Sequence, residues 1–210
     1  MTALLTTKLI REATSQGAWD FGNQVLYDMC TANPDHNQDD IIIGKIWLIG
    51  RTYAAAIERR KTAGEALGDA FYETVVAPRI RESEIDAWFG AIRTCSTDDL
   101  TLHLEVHARV MRLFTEISGL EKRSLASKYL HFHFPQRFYI YDSRAYKVIC
   151  ELTDPVGKRI PNLRVHDDVY ARFFIRCRDL DRRLNAQLGQ RLSIREFDKV
   201  LLAYSRSAAR

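Results

Sequence analysis

The chain has 210 residues, 46% hydrophobic and 28% charged, with a formal net charge of +4, the balance of an ordinary globular protein long enough to bury a substantial core. Its four cysteines, Cys30, Cys95, Cys150 and Cys177, lie far apart with no C-x-x-C pair. That spacing argues against a cysteine zinc site or a dense disulfide framework and fits a reducing cytoplasm.

In chain order, MTALLTTKLIREA sets Lys8 and Arg11 among its apolar residues, which reads as a short amphipathic helix over 2–14 and not as a signal peptide. Apolar residues then recur at helical spacing almost throughout. The pattern predicts further helices over 19–31, 39–61, 65–76, 82–93, 98–118, 123–134, 143–152, 166–187 and 192–205. The expected fold class is all-α, a single helical domain over 1–210. No stretch approaches the roughly 20 apolar residues of a membrane span, so no membrane partner is expected.

Local signals set several boundaries. Asp98-Asp99-Leu100-Thr101 is an acidic helix opening, and Ser118-Gly119 is a stop. Pro135 closes the helix that contains Lys128, and Phe138-Tyr139-Ile140-Tyr141 reads as buried extended chain. Asp142 and Ser143 then offer a cap for the next helix. PVGKRIP is the clearest loop, with Lys158 and Arg159 at its tip.

Charge is unevenly spread. Residues 1–135 hold 15 basic against 18 acidic side chains, and residues 136–210 hold 16 against 9. The positive excess of the last third points to an anionic partner, nucleic acid being the commonest, or to a solvated helix surface.

Ser124, Ser127, Lys128 and His131 fall at spacings of three and four and share one helical face, while Leu125, Ala126, Tyr129, Leu130 and Phe132 cover the others. This polar stripe must therefore face a cleft or a partner helix. A lysine there is partly desolvated, which favours the neutral, nucleophilic amine. The alternatives are snorkelling to solvent or pairing with a carboxylate. Asp142 reads as a helix cap, and a capping carboxylate stays ionised and can also stabilise positive charge in front of it.

A helix ending in Ser118-Gly119-Leu120, a short turn, a second helix with a lysine, a proline break and then an aspartate resembles the helix-hairpin-helix DNA glycosylases. Within them, LASKYLHFHFPQRFYIYDSRA is most similar to bacterial proteins with an 8-oxoguanine-glycosylase-type fold. The resemblance covers about residues 117–148, with an echo in KIWLIGRTYAAAIERR. It implies a helical bundle of two lobes around a cleft, with the hairpin core at about 98–152.

The implied activity is excision of a damaged or modified base from double-stranded DNA, such as a modified cytosine of phage DNA, after the nucleotide is flipped into a pocket. By that resemblance Asp142 stabilises charge on the sugar and Lys128 attacks it, giving a Schiff base; if Lys128 only orients the base, water attacks. The hairpin has only Gly119 where the family is glycine-rich. The family's usual lysine opens the second helix, where this chain has Lys122 and Arg123, so Lys122 is the substitute for Lys128. Gly119, Lys122, Arg123, Arg144, Lys158 and Arg159 are the expected DNA contacts.

Elsewhere, Trp47, Arg51 and Tyr53 either pack or line the base pocket, with Ala54 and Ala55 permitting close approach. Asn23, with Gln24 beside it, is a candidate reader of a base edge. Ser124 and His131 join the pocket by sharing the lysine face. His103 and His107, four apart, and the pair His131 and His133 do not make a metal motif, and neither metal nor cofactor is expected. Arg172, Arg176, Arg182 and Arg183 are phosphate contacts or members of a salt-bridged surface helix. No obligate protein partner is evident. The competing readings are a non-catalytic helical module that binds DNA or protein, and an RNA-processing enzyme using His131 and His133.

Overall fold

The computed structural model describes residues 5–59, 68–157 and 166–207, and among these the chain is helical with no strand. The fold class is all-α, as the periodicity predicts. The loop tip with Lys158 and Arg159 lies outside the described residues. No described helix is long and apolar enough to cross a membrane.

Helix α1 (Thr7–Thr14) starts where the Thr6 hydroxyl accepts the Leu9 N–H at 3.2 Å. It is followed by α2 (Asp20–Ala32) and α3 (Asp39–Thr52). The pattern predicts that α3 runs on to residue 61, but the chain reverses after Thr52. The Ala55 N–H bonds the Gly50 carbonyl at 2.8 Å, and Ala54 takes a left-handed φ of 51°. A Cβ on Gly50 would lie 3.2 Å from the Ala56 Cα, so glycine there leaves room for the returning backbone. Ala56 and Ile57 are buried as a helix face would be, but by the reversed chain.

Next come α4 (Asp69–Phe71), a π-helical turn (Tyr72–Val76) and α5 (Ala77–Arg81), continuous with one another. The pattern predicts one helix ending at 76 and the next starting at 82, but helix runs on through Pro78, which has no N–H to donate and whose ring crowds the preceding turn. The wider π turn before it absorbs that defect, so helix continues. After α6 (Ile85–Thr94), helix α7 (Leu100–Ser118) is capped by the Asp99 carboxylate on the Leu102 N–H and ends at Gly119 with φ 71°. Helices α8 (Arg123–His133), α9 (Ser143–Leu152), α10 (Asp168–Leu188) and α11 (Ile194–Ser207) complete the chain. At the start of α11, Ser193 and Glu196 bond each other's backbone N–H at 3.1 and 2.7 Å, a reciprocal capping box.

Two apolar cores result. One gathers side chains of α2, α3, α5, α6, α7 and α8, among them Ile46, Phe89, Phe114 and the fully buried Tyr129. The other joins α1, α9, α10 and α11 through Ile10, Ile149, Phe173 and Phe197. The extended segment after α8 serves both, because alternate residues point opposite ways: Phe138 enters the first core and Tyr139 the second. Each such fully buried ring or branched chain contributes about 1.5–3 kcal/mol.

Candidate functional site

The polar stripe of α8 divides into two jobs. Ser127 and His131 hold the segment that follows: the Ser127 hydroxyl accepts the Tyr141 N–H at 3.0 Å, and the His131 Nδ1–H donates to the Phe138 carbonyl at 2.9 Å. The chain after Pro135 is thereby laid back along α8. Asp142, the next residue, arrives near the start of that helix, where Ser124 and Lys128 stand. There its carboxylate accepts the Ala145 N–H at 2.8 Å and caps α9.

Lys128 is 3% exposed. Its ammonium donates to the Ser124 Oγ at 2.6 Å and lies 5.7 Å from the centre of the Tyr53 ring. Burial lowers its pKa below the usual lysine value, and the nearby carboxylates of Asp142 and Asp198 oppose that shift. Asp198, from α11, is itself buried and bound to Arg195 Nη1 at 2.6 Å. Burial pushes its carboxyl up to about 6 against the pull of Arg195. The Arg195 guanidinium carbon lies 5.9 Å from the same Tyr53 ring centre. Tyr53 in turn donates its hydroxyl to Asn23 Oδ1 at 2.6 Å.

Tyr53, Asn23, Ser124, Lys128 and Asp142 therefore come together, joined by Arg195 and Asp198, which the sequence reading missed. Their signal lies on α11, where Ile194, Phe197, Asp198 and Leu201 occupy the spacing of a buried helical face and are all buried. A carboxylate in that stripe needs a partner. A groove of about 380 Å³ runs between α1, α11 and the start of α2, lined by Trp19, Asp20, Arg195 and Lys199; Lys128 and Asp142 are not among its lining residues.

The other predicted residues do different work. His131 is fully buried with both ring nitrogens engaged, Nε2 accepting from the Tyr27 hydroxyl at 2.6 Å, so it has no free nitrogen for a substrate. Lys122 is buried, its amine ending on the Ala56 and Arg59 carbonyls at 3.0 and 2.6 Å, which ties the chain after α3 to the start of α8. Gly119 caps α7, its N–H on the Thr115 carbonyl at 2.7 Å. Arg123 is gripped by both carboxylate oxygens of Asp167, and Arg144 is exposed on α9. Trp47 is exposed, with Arg51 over its ring; Arg51 is paired to Glu58 at 2.6 Å.

Gln24 is bonded to Asp28 on the surface. On α10, Arg172 pairs with Asp168, while Arg176 and Arg183 line a separate groove with Asp179. Arg182 lies 3.8 Å from Asp98. His107 stacks on Tyr170 with ring centres 3.5 Å apart, and His103 Nδ1 bonds the Asp99 carbonyl. No group of three or more His, Cys, Asp or Glu side chains among the described residues is arranged to hold a metal ion.

Compared with known proteins, the chain matches no family model, no curated protein and no solved structure.

Proposed function

We propose that the chain is a DNA N-glycosylase that takes a damaged or modified base from duplex DNA, with α7, Gly119 and α8 as its helix-hairpin-helix element. The observation that carries this reading is the environment of Lys128: a desolvated amine with one hydroxyl partner, beside an aspartate held at a helix start. Desolvation favours the free amine, and a nearby carboxylate can accept its proton. Asp198 is the group suited to that, and Asp142 faces the positive charge that grows on the sugar.

In the covalent form of the reaction the bond from the sugar C1′ to the base nitrogen breaks, and its electron pair leaves with the base. Lys128 Nζ, having lost a proton, bonds to C1′. Opening of the sugar ring then leaves a protonated Schiff base, and nothing is oxidised or reduced. In the hydrolytic form water bonds to C1′ instead, and the site is left abasic.

Incubation with duplexes carrying damaged or modified bases, followed by borohydride, tests this. A covalent protein–DNA adduct that is absent in Lys128→Ala supports the amine as nucleophile, and base release without an adduct assigns it to positioning. Absence of both across the base panel refutes the reading. A second reading, a non-catalytic helical module that binds DNA or protein, has one observation in its favour: the Lys128 amine is shut away from solvent and bonded within its own helix. That reading expects binding with no base release.

A further inference from the structure

Two buried hydrogen-bond donors in this cluster have no acceptor. Asn23 is 6% exposed; its Oδ1 accepts from the Tyr53 hydroxyl, which burial keeps protonated, and its Nδ2 has no partner. Arg195 Nε is likewise buried and unpartnered, while its Nη1 is held by Asp198. Buried donors are nearly always satisfied, so an orphan needs an explanation, and two around one ring need a shared one. The Tyr53 ring links them, bonded to Asn23 through its hydroxyl and 5.9 Å from the Arg195 guanidinium carbon. The groove lined by Trp19, Arg195 and Lys199 borders one of the two donor residues and reaches the start of α2, one helical turn before Asn23.

We infer that Asn23 Nδ2–H and Arg195 Nε–H form a subsite that reads a hydrogen-bond acceptor, a keto oxygen on the edge of the base that the proposed glycosylase removes. The substrate class is then a base carrying a carbonyl on the edge it presents. An amino group at that position would meet two donors with a third and leave all of them unsatisfied. This inference rests on the glycosylase reading for its ligand, and it concerns recognition, not bond cleavage. Neither donor needs to touch the sugar.

Hypoxanthine and adenine make a matched probe of the same ring system, differing in a keto oxygen against an amino group at C6 and in a protonated against an unprotonated N1. Titration of each free base into the full chain, followed by ligand-observed NMR, is expected to show hypoxanthine binding about tenfold more tightly or better. Asn23→Asp keeps the acceptor for Tyr53 and the shape of the side chain but replaces the donor by a second acceptor. It is expected to abolish the preference with the thermal midpoint unchanged or raised. Arg195→Lys, which keeps a cation for Asp198 and removes the Nε–H, is expected to weaken hypoxanthine binding in the same direction.

Equal binding of the two bases by the wild type, no binding of either at millimolar concentration, or a preference that survives Asn23→Asp would each overturn the subsite. A preference for adenine would mean that the Asn23 amide presents its oxygen, and would overturn it too. The two proposals fail separately. Base release from DNA that is blind to Asn23→Asp removes the subsite and leaves the glycosylase, whereas the hypoxanthine preference without base release from any duplex does the reverse.

Discussion

Among the described residues three lysines are buried, and the two regions they occupy treat an ammonium differently. At the turns flanking α3, Lys45 ends on the Asn33 and Asp35 carbonyls at 3.0 and 2.9 Å, and Lys122 ends on those of Ala56 and Arg59. In the seam between α8, α9 and α11, Lys128 has one hydroxyl and the face of a ring. An ammonium has three donors, so the first two are largely satisfied and the third is not. Burial alone therefore does not mark a working lysine. The number and kind of its partners does: backbone carbonyls fix a turn, whereas a side-chain hydroxyl can be exchanged for a substrate.

The sharpest way to break that contrast is to exchange the roles. Lys128→Met is expected to abolish the borohydride adduct and to lower base release by about three orders of magnitude or more, as loss of a reacting group does. Its thermal midpoint should hold or rise, since an apolar side chain replaces an ammonium with few partners. Lys122→Met should retain the adduct per folded molecule. An adduct lost in Lys122→Met and kept in Lys128→Met would move the chemistry to the opening of α8. The next largest effect concerns folding. Lys45→Met strands two carbonyls beneath α3 and is expected to cost about 3 kcal/mol in urea unfolding, with no effect on chemistry once folded.

Acid and base sharpen the same contrast. His36 donates from Nδ1 to Asp86 and accepts the Tyr129 hydroxyl at 2.8 Å on Nε2, and His131 sits likewise between the Phe138 carbonyl and Tyr27. Burial pushes both down to about 4. The unfolded chain takes up these protons near pH 6.5 and the folded one does not, so stability is intact above 6.5 and lost as pH falls towards 4. Unfolding free energies from urea at pH 7 and pH 4.5 should differ by about 5 kcal/mol from these two groups. Lys45 and Lys122 are both lowered to about 8 by burial. There the unfolded chain holds the extra protons, so stability rises from pH 8 towards 10.5.

Much of this was legible in the sequence, for physical reasons that also explain the gaps. The apolar setting of Lys128 predicts its burial, and Asp142-Ser143 predicts the cap, because both are local facts about one helix and its neighbour. Ser127 and His131 share the lysine face as predicted, but spacing alone cannot tell a side chain that holds the backbone from one that awaits a ligand. Arg195 and Asp198 lie far along the chain, and a carboxylate in an apolar stripe announces a partner without naming it. The gap predicted between the helices over 65–76 and 82–93 is filled by helix, because a π turn can absorb what Pro78 takes from an α-helix. The apolar run after Thr52 misled because a reversed chain buries the same residues a helix would.

That reversal supplies the smallest predicted effect. Ala54 holds φ at 51°, a conformation that crowds a Cβ against its own backbone and suits glycine. It is exposed, so its methyl group has little packing to lose. Ala54→Gly relieves the strain in the folded state but adds freedom to the unfolded chain, and these oppose each other. Relief of a left-handed alanine is about 1–2 kcal/mol, and the added freedom costs about 0.4–1 kcal/mol. The net expectation is a gain of about 0.5 kcal/mol in urea unfolding, with the adduct unchanged. The same substitution at Ala56, buried against Gly50, removes a packed methyl with no strain to relieve and should destabilise. Stabilisation at 54 with loss at 56 would mark the turn, rather than the apolar run, as what ends α3 and delivers Tyr53 to the seam.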